Sequence, residues 1–119
     1  MTPDQIAALN RAISKLFNRW QVDDELGSRI LALDAERYRT WRLGELNCPD
    51  DDLRLRLSLL LGIHVQLCTF FSKPERGYAW MAKPNDVFGE SPLSMLSSGD
   101  LNVLVRLQAY LAAETQAPF

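Results

Sequence analysis

The first twenty residues place apolar side chains at the spacing of one helical face. Thr2 and Gln5 form a capping-box pattern, with Pro3 at the first helical position. Apolar residues then recur at intervals of three and four: Ile6, Leu9, Ile13, Leu16, Phe17 and Trp20. This periodicity predicts an amphipathic helix over residues 2–20 that buries one face.

The next segment, WQVDDELGSRILALDAERYRTWRLGE at residues 20–45, predicts two short helices. Asp23 and Asp34 are each placed to cap one of them, and acidic residues fall in both first turns, where they suit the helix dipole. The link around Ala32 leaves room only for a tight turn. Helix, tight turn and helix together predict a helix-turn-helix-like region within residues 1–48.

A boundary at NCPDDD, residues 47–52, precedes a long helix predicted over residues 49–71. Its first turns offer two i, i+4 ion pairs on the surface, Asp50 with Arg54 and Asp52 with Arg56. From Leu57 onward the helix is apolar nearly all round, which predicts burial of every face. It is therefore expected to be the central helix or to lie against another subunit.

The segment GYAWMAKPNDVFGESPLSMLSSGDL, residues 77–101, is rich in large apolar side chains and in Pro and Gly. These Pro and Gly residues predict a short helix over 74–82 and one turn of helix from Ser91-Pro92 through Leu96. Asp100 is placed to cap a last helix. One side of that helix carries Leu101, Leu104, Val105, Gln108 and Leu111. No strand pattern survives. The predicted fold class is all-α, with a helix-turn-helix-like N-terminal bundle packed with a C-terminal helical domain over residues 49–119.

Composition narrows the class of protein. The chain has 119 residues, 47% of them hydrophobic, and a formal net charge of −2, which argues against a strongly nucleic-acid-binding or membrane-surface protein. The N-terminus lacks the basic and apolar regions of a signal peptide. Cys48 and Cys68 form no CxxC or disulfide-framework spacing. Together these features predict a cytoplasmic protein without a membrane partner.

Candidate chemistry is sparse. His64 is the single histidine, and Cys68 follows it by four residues, so a Cys/His pair is conceivable on one helix face. The favoured interpretation is that both residues pack in a crowded core, because catalytic partners are lacking and a metal site needs several ligands. The sequence therefore predicts no catalytic residue, no cofactor and no metal site.

The helix AERYRTWR carries four residues suited to DNA backbone and base-edge contacts: Arg37, Arg39, Thr40 and Arg42. The competing interpretation is a solvated face anchored by tyrosine and tryptophan. Residues 1–48 carry seven basic and seven acidic side chains, so DNA binding would need a local basic patch. The sequence therefore leaves open whether operator DNA is a partner.

The order of these elements resembles the Xre/MbcA/ParS-like antitoxins over about residues 53–112. The residues that carry the resemblance follow a leucine-rich helix: Trp80, Pro84-Asn85, Gly89, Ser91-Pro92-Leu93 and Gly99-Asp100. The resemblance implies a non-catalytic antitoxin that covers the active-site entrance of a RES-domain, NAD⁺-consuming toxin or of a related ADP-ribosylating enzyme. It also implies a homodimer that represses its own operon.

The residues expected to contact such a toxin combine aromatic, Met and cationic anchors with loop and C-terminal positions. They are Arg76, Tyr78, Trp80, Met81, Lys83, Asn85, Phe88 and the terminal Phe119. Trp80 and Phe88 are expected to lie largely inside, clamping the loop. Two alternatives remain: a stand-alone helix-turn-helix transcription regulator that uses residues 53–119 to dimerise, and a protein-interaction adaptor.

Overall fold

The computed structural model describes residues 2–46 and 49–116, and over these ranges the chain is helical with no strand. Seven helices lie in the described residues: α1 (Pro3–Arg19), α2 (Asp24–Leu31), α3 (Ala35–Arg42), α4 (Asp51–Phe70), α5 (Pro74–Ala82), α6 (Pro92–Leu96) and α7 (Leu101–Gln116). The all-α prediction is confirmed over these residues.

The predicted caps Thr2, Asp23 and Asp34 all form, and Asp50, predicted as an ion-pair partner, caps α4. At the start of α1, Thr2 and Gln5 exchange both bonds of a capping box. Asp23, Asp34 and Asp50 each accept a hydrogen bond of 2.8 Å from the backbone N–H three residues later. These local bonds satisfy N–H groups that no helical carbonyl can reach, so short-range sequence was sufficient to predict the caps at Thr2, Asp23 and Asp34.

Helices α2 and α3 are joined by a tight turn, as predicted. Ala32 ends α2 in the left-handed conformation (φ 54°), and the N–H of Leu33 donates to the carbonyl of Ser28. The helices then approach closely, because Gly27 on α2 faces the ring of Tyr38 on α3: a Cβ at Gly27 would lie 2.2 Å from the tyrosine hydroxyl. A side chain at this position would separate the two helices.

Helix α4 is central, and α1, α2, α5 and α7 pack around it. Its buried apolar residues are Leu53, Leu57, Leu60, Ile63 and Leu67. Within the single chain part of the apolar surface of α4 stays uncovered, because Leu61, Val65 and Phe70 are exposed, and the expected contact with another subunit stays a prediction. By length and composition alone α4 could cross a membrane. Its burial against α1 and α7 is that of a core helix.

A single core joins the two predicted regions. Its buried members include Phe17 and Trp41 from the N-terminal half and Leu57, Met81 and Leu107 from the C-terminal half. On α7 the buried stripe is Leu104, Leu107 and Leu111, whereas Val105, expected on that side, is exposed. The contact with α4 sets which face of α7 is buried, and the periodicity of α7 alone did not determine that face.

The ion pairs of α4 differ from the prediction. Arg54 pairs with Asp51, because Asp50 is occupied by capping the helix. The Asp52–Arg56 pair does form, at 2.8 Å, but the arginine is only 6% exposed. Arg56 also donates to the carbonyls of Ile30 (3.1 Å) and Gly99 (2.8 Å). It is therefore an internal link and not part of a solvated first turn.

Candidate interaction surfaces

The loop between α5 and α6 is organised by Asn85. Its carbonyl accepts from the N–H groups of Phe88 (3.2 Å) and Gly89 (2.7 Å), and its N–H donates to the carbonyl of Glu90 (3.1 Å). Its side-chain oxygen also accepts from the N–H of Val87 at 2.8 Å. Asn85 therefore fixes the loop, and its predicted contact with a partner stays a prediction.

Two aromatic residues of this segment pack on a third that the sequence interpretation missed. Trp80 stacks on Tyr110 of α7, with ring centroids 6.4 Å apart and planes 5° from parallel. Phe88 meets the same ring edge-on at 5.1 Å. All three rings are half-buried against the core. This trio of rings, the aromatic cluster, is divided between the interior and the surface, whereas Trp80 and Phe88 were expected to lie largely inside.

Exposed charged and apolar side chains lie near Trp80 and Phe88 in the sequence. Arg76 lies one helical turn before Trp80 on α5, and both Arg76 and Lys83 are exposed. Val87, in the loop, is 63% exposed. A small cavity of about 40 Å³ lies beside the rings, between Phe70 and Tyr110. The carboxylate-bearing Glu114 lines the same cavity, so this part of the molecule combines aromatic rings, an exposed aliphatic side chain and charged groups of both signs.

The remaining predicted contact residues are Met81, Tyr78 and Phe119. Met81 is fully buried in the core, so it is a packing residue in this structure and not a surface contact. Tyr78 is half-buried and packs against the core from its partly exposed position. Phe119 lies outside the described residues. Of the eight predicted residues, Arg76 and Lys83 are exposed, whereas Tyr78, Trp80, Asn85 and Phe88 are half-buried and Met81 is buried.

On α3 the four predicted DNA-contacting residues separate into two groups. Arg37 and Arg39 are exposed. Thr40, in contrast, donates its hydroxyl to the carbonyl of Glu36 within the helix. The guanidinium of Arg42 donates to both the carbonyl and the hydroxyl of Ser14, at 2.7 Å each, and also to the side chain of Asn18. Arg42 therefore ties α3 to α1.

Beneath α3, an aromatic layer holds the helix on the core. Trp41 packs against Phe17 and Tyr38, and its indole N–H donates to the side chain of Asn10 on α1 at 3.1 Å, in a buried bond. The hydroxyl of Tyr38 is buried without a hydrogen-bond partner. Burial raises the pKa of Tyr38, opposed by the nearby positive charge of Arg42.

A groove of about 660 Å³ runs between α1 and the end of α3. The charged residues that line it, among those described, are Arg11, Lys15 and Arg42, and no carboxylate joins them. Ser14 and Asn18 supply polar groups, and Leu43 lies exposed at its edge. We call this feature the cationic groove.

A second groove, of about 890 Å³, lies between α1 and α4 and is almost entirely apolar. Leu9 forms part of its floor, while Leu61 and Val65 project into it from α4 with substantial exposure. Here the apolar surface of α4 that was expected to be buried is left uncovered within the monomer.

The His64–Cys68 pair exists, but it is weak and lies at the surface. The Cys68 sulfur is 3.7 Å and 3.9 Å from the two imidazole nitrogens. Burial lowers the pKa of His64, and the positive charge of Arg19 lowers it further. Within the described parts of the chain, no group of three or more His, Cys, Asp or Glu residues is placed to hold a metal ion.

No protein-family model matches this chain. The chain is similar to a protein of Sinorhizobium fredii that bears the name Uncharacterized protein y4oB. The two are 27% identical over 112 residues, which cover 92% of this chain and 86% of that protein. The similarity therefore extends over both the α1–α3 region and the α4–α7 region.

Proposed function

We propose that this chain is a cytoplasmic antitoxin that binds a toxin enzyme and blocks it by contact. The proposed partner is a RES-domain, NAD⁺-consuming toxin or a related ADP-ribosylating enzyme, as the resemblance over residues 53–112 implies. The observation that carries the binding role is the aromatic cluster of Trp80, Phe88 and Tyr110, half-exposed, with exposed cations close by in the sequence.

The composition of this surface suits a protein partner. Aromatic and arginine side chains dominate the binding energy of protein interfaces, and they do so best when neighbouring contacts already hold them rigid. Tyr110 holds two rings, and Asn85 fixes the loop that carries Phe88. Binding would therefore order few additional side chains, which supports a stable complex.

The proposed antitoxin acts as a homodimer. The apolar groove between α1 and α4, with Leu61 and Val65 exposed, supports an interface with a second copy of the chain. We expect Leu61→Glu to shift the protein from dimer to monomer in light scattering coupled to size-exclusion chromatography. A monomeric wild-type protein would remove the dimer from the proposal and leave toxin binding intact.

Toxin binding is tested by co-purification with the product of the adjacent gene. We expect a stable complex and rescue of growth when both are expressed. The triple variant Arg76→Glu, Lys83→Glu, Val87→Asp alters exposed side chains only, so the fold should persist while affinity falls at least tenfold, a loss of about 1.4 kcal/mol.

The matched control is Arg54→Glu with Arg106→Glu, which reverses two exposed or half-exposed cations on α4 and α7. This control should bind as the wild type does. Absence of any complex with the neighbouring product, together with no rescue, would refute the antitoxin role. A complex that the triple variant forms equally well would instead move the interface away from the aromatic cluster.

A second candidate function is DNA binding by a helix-turn-helix regulator, and the exposure of Arg37 and Arg39 on α3 favours it. Arg42 belongs to the link with α1, so it is a poor test residue. We expect Arg37→Ala with Arg39→Ala to weaken binding to the DNA upstream of the gene, in a salt-sensitive manner. Binding equal to that of random sequence would exclude this function.

A further inference from the structure

We propose that the cationic groove between α1 and α3 holds the phosphate backbone of DNA, so that α1 supplies the non-specific contacts that position α3. This inference rests on the second candidate function, DNA binding through α3. The residues it adds are Arg11 and Lys15, which lie outside the helix-turn-helix itself.

The first argument is the separation of charge. The chain carries a formal net charge of −2, and residues 1–48 carry basic and acidic side chains in equal number. Nevertheless, the charged side chains that line the groove, over the part of the chain described, are three cations and no carboxylate. Three cations with no carboxylate among the described lining residues favour local attraction of a polyanion, although the overall charge is negative.

The second argument is the placement of these cations. Arg11 and Lys15 are one helical turn apart on α1 and both are exposed. Arg42 is fixed against the same helix by Ser14 and Asn18, so its guanidinium is held in one position before any ligand arrives. A guanidinium held by neutral partners keeps its full charge, which suits an anionic ligand.

The third argument is the position of the groove beside α3. Arg42 belongs to α3 and lines the groove, and Arg39 is exposed one turn earlier. Backbone contacts fix the register of a protein on DNA, whereas side chains in a groove read the bases. In this proposal Arg11 and Lys15 contact phosphates, and base contacts are left to the exposed side chains of α3. On that helix, Arg39 lies beside a separate cleft that Asp24 and Glu25 also line.

The experiment measures binding of the full-length protein to two duplexes of equal length, the DNA upstream of its gene and a scrambled sequence, at several salt concentrations. We expect Arg11→Gln with Lys15→Gln to weaken binding to both duplexes by a similar factor, about tenfold or more. The slope of log K against log[salt] should become shallower by about two, one for each lost phosphate contact.

The matched control is Lys73→Gln with Arg106→Gln, which removes the same amount of charge from exposed positions outside α1 and α3. We expect the control to leave the salt slope unchanged. The Arg37→Ala, Arg39→Ala variant should differ from both, because it should reduce the preference for the upstream duplex more than it reduces binding to the scrambled one.

Each outcome has a distinct meaning. Wild-type protein that binds neither duplex overturns both DNA binding and the groove. If Arg11→Gln with Lys15→Gln keeps both the preference for the upstream duplex and the salt slope, only the phosphate-binding role of the groove is overturned. Loss of toxin binding in that variant, with DNA binding unaltered, would assign the groove to an acidic protein segment and likewise overturn the inference.

Discussion

The guanidinium of Arg56 donates a hydrogen bond of 2.8 Å to the backbone carbonyl of Gly99, 43 residues later in the chain. The same nitrogen reaches the carbonyl of Ile30 at the end of α2, and Asp52 balances the charge. One buried side chain on α4 therefore connects the helix-turn-helix-like region to the turn before α7. Gly99 itself has φ +74°, and a Cβ there would lie 2.9 Å from the carbonyl oxygen of Arg29.

Replacing Arg56 with Met should lower the free energy of unfolding by about 2–4 kcal/mol. Two backbone carbonyls would lose their donor inside the protein, and the charge-assisted bonds of the guanidinium would be lost with them. Urea denaturation followed by circular dichroism measures the change. Arg54→Met is the control, since its pair with Asp51 is at the surface and should change stability by less than about 1 kcal/mol. Equal losses in the two variants would contradict the linking role of Arg56.

Gly27→Ala should destabilise the protein by about 1–3 kcal/mol, although alanine favours helices. The new methyl group would meet the hydroxyl and ring of Tyr38 within 3 Å and force α2 and α3 apart. Thermal denaturation detects the loss. Gly62→Ala on α4 is the matched control, because its methyl group would meet only the flexible side chain of Gln108 at 3.4 Å. That variant should be neutral or slightly stabilising.

Tyr38→Phe should leave the free energy of unfolding within about 1 kcal/mol of the wild type, or raise it. The hydroxyl is buried without a partner, so its removal costs no hydrogen bond. Combining it with Gly27→Ala should recover part of the loss, because one of the atoms that the methyl group meets is then gone. A loss above 2 kcal/mol for Tyr38→Phe alone would show that the hydroxyl is in fact bonded.

Ala32→Gly should stabilise the protein by about 0.5–1 kcal/mol. Ala32 ends α2 at φ 54°, where the left-handed backbone costs an L-residue more than it costs glycine, and the greater freedom of glycine in the unfolded chain offsets part of the gain. Chemical denaturation measures the change in stability. The control is Ala35→Gly in the first turn of α3, which should lower stability. A destabilised Ala32→Gly would mean that this turn is not left-handed in solution.

His64 should make stability fall as the solution becomes acidic. Its pKa in the folded protein is lowered by burial and by Arg19, whereas the unfolded chain titrates near the ordinary value of 6.5. The unfolded state therefore binds more protons, and stabilisation present above about pH 6.5 is lost as the pH falls toward the folded pKa. Urea denaturation at pH 7.5 and 5.5 should show a smaller pH effect in His64→Gln than in the wild type. If the wild type and His64→Gln showed the same pH effect, titration of His64 would be excluded as its cause.

Local signals determined much of the fold. Capping by Thr2, Asp23 and Asp34 involves bonds between residues three apart, so these helix starts could be predicted within a residue or two. The all-α class followed from the periodicity of apolar residues. The same kind of reasoning found the segment that carries Trp80 and Phe88, because large apolar residues between Pro and Gly are visible in the sequence alone.

Tertiary structure decided what each of these side chains touches. Arg56 follows Asp52 by four residues, which is typical of a solvated pair, yet the helices packed around α4 bury it against two carbonyls from distant segments. Tyr110 had no local signal, since its role depends on where α7 lies beside α5. Helical periodicity states which residues share a face, but the neighbour that covers a face is set by long-range packing. For that reason the sequence by itself determined the helices and most of their caps. Only the folded chain separated Met81, which is buried, and Arg42, which is bound to α1, from Arg39 and Arg76, which face the solvent.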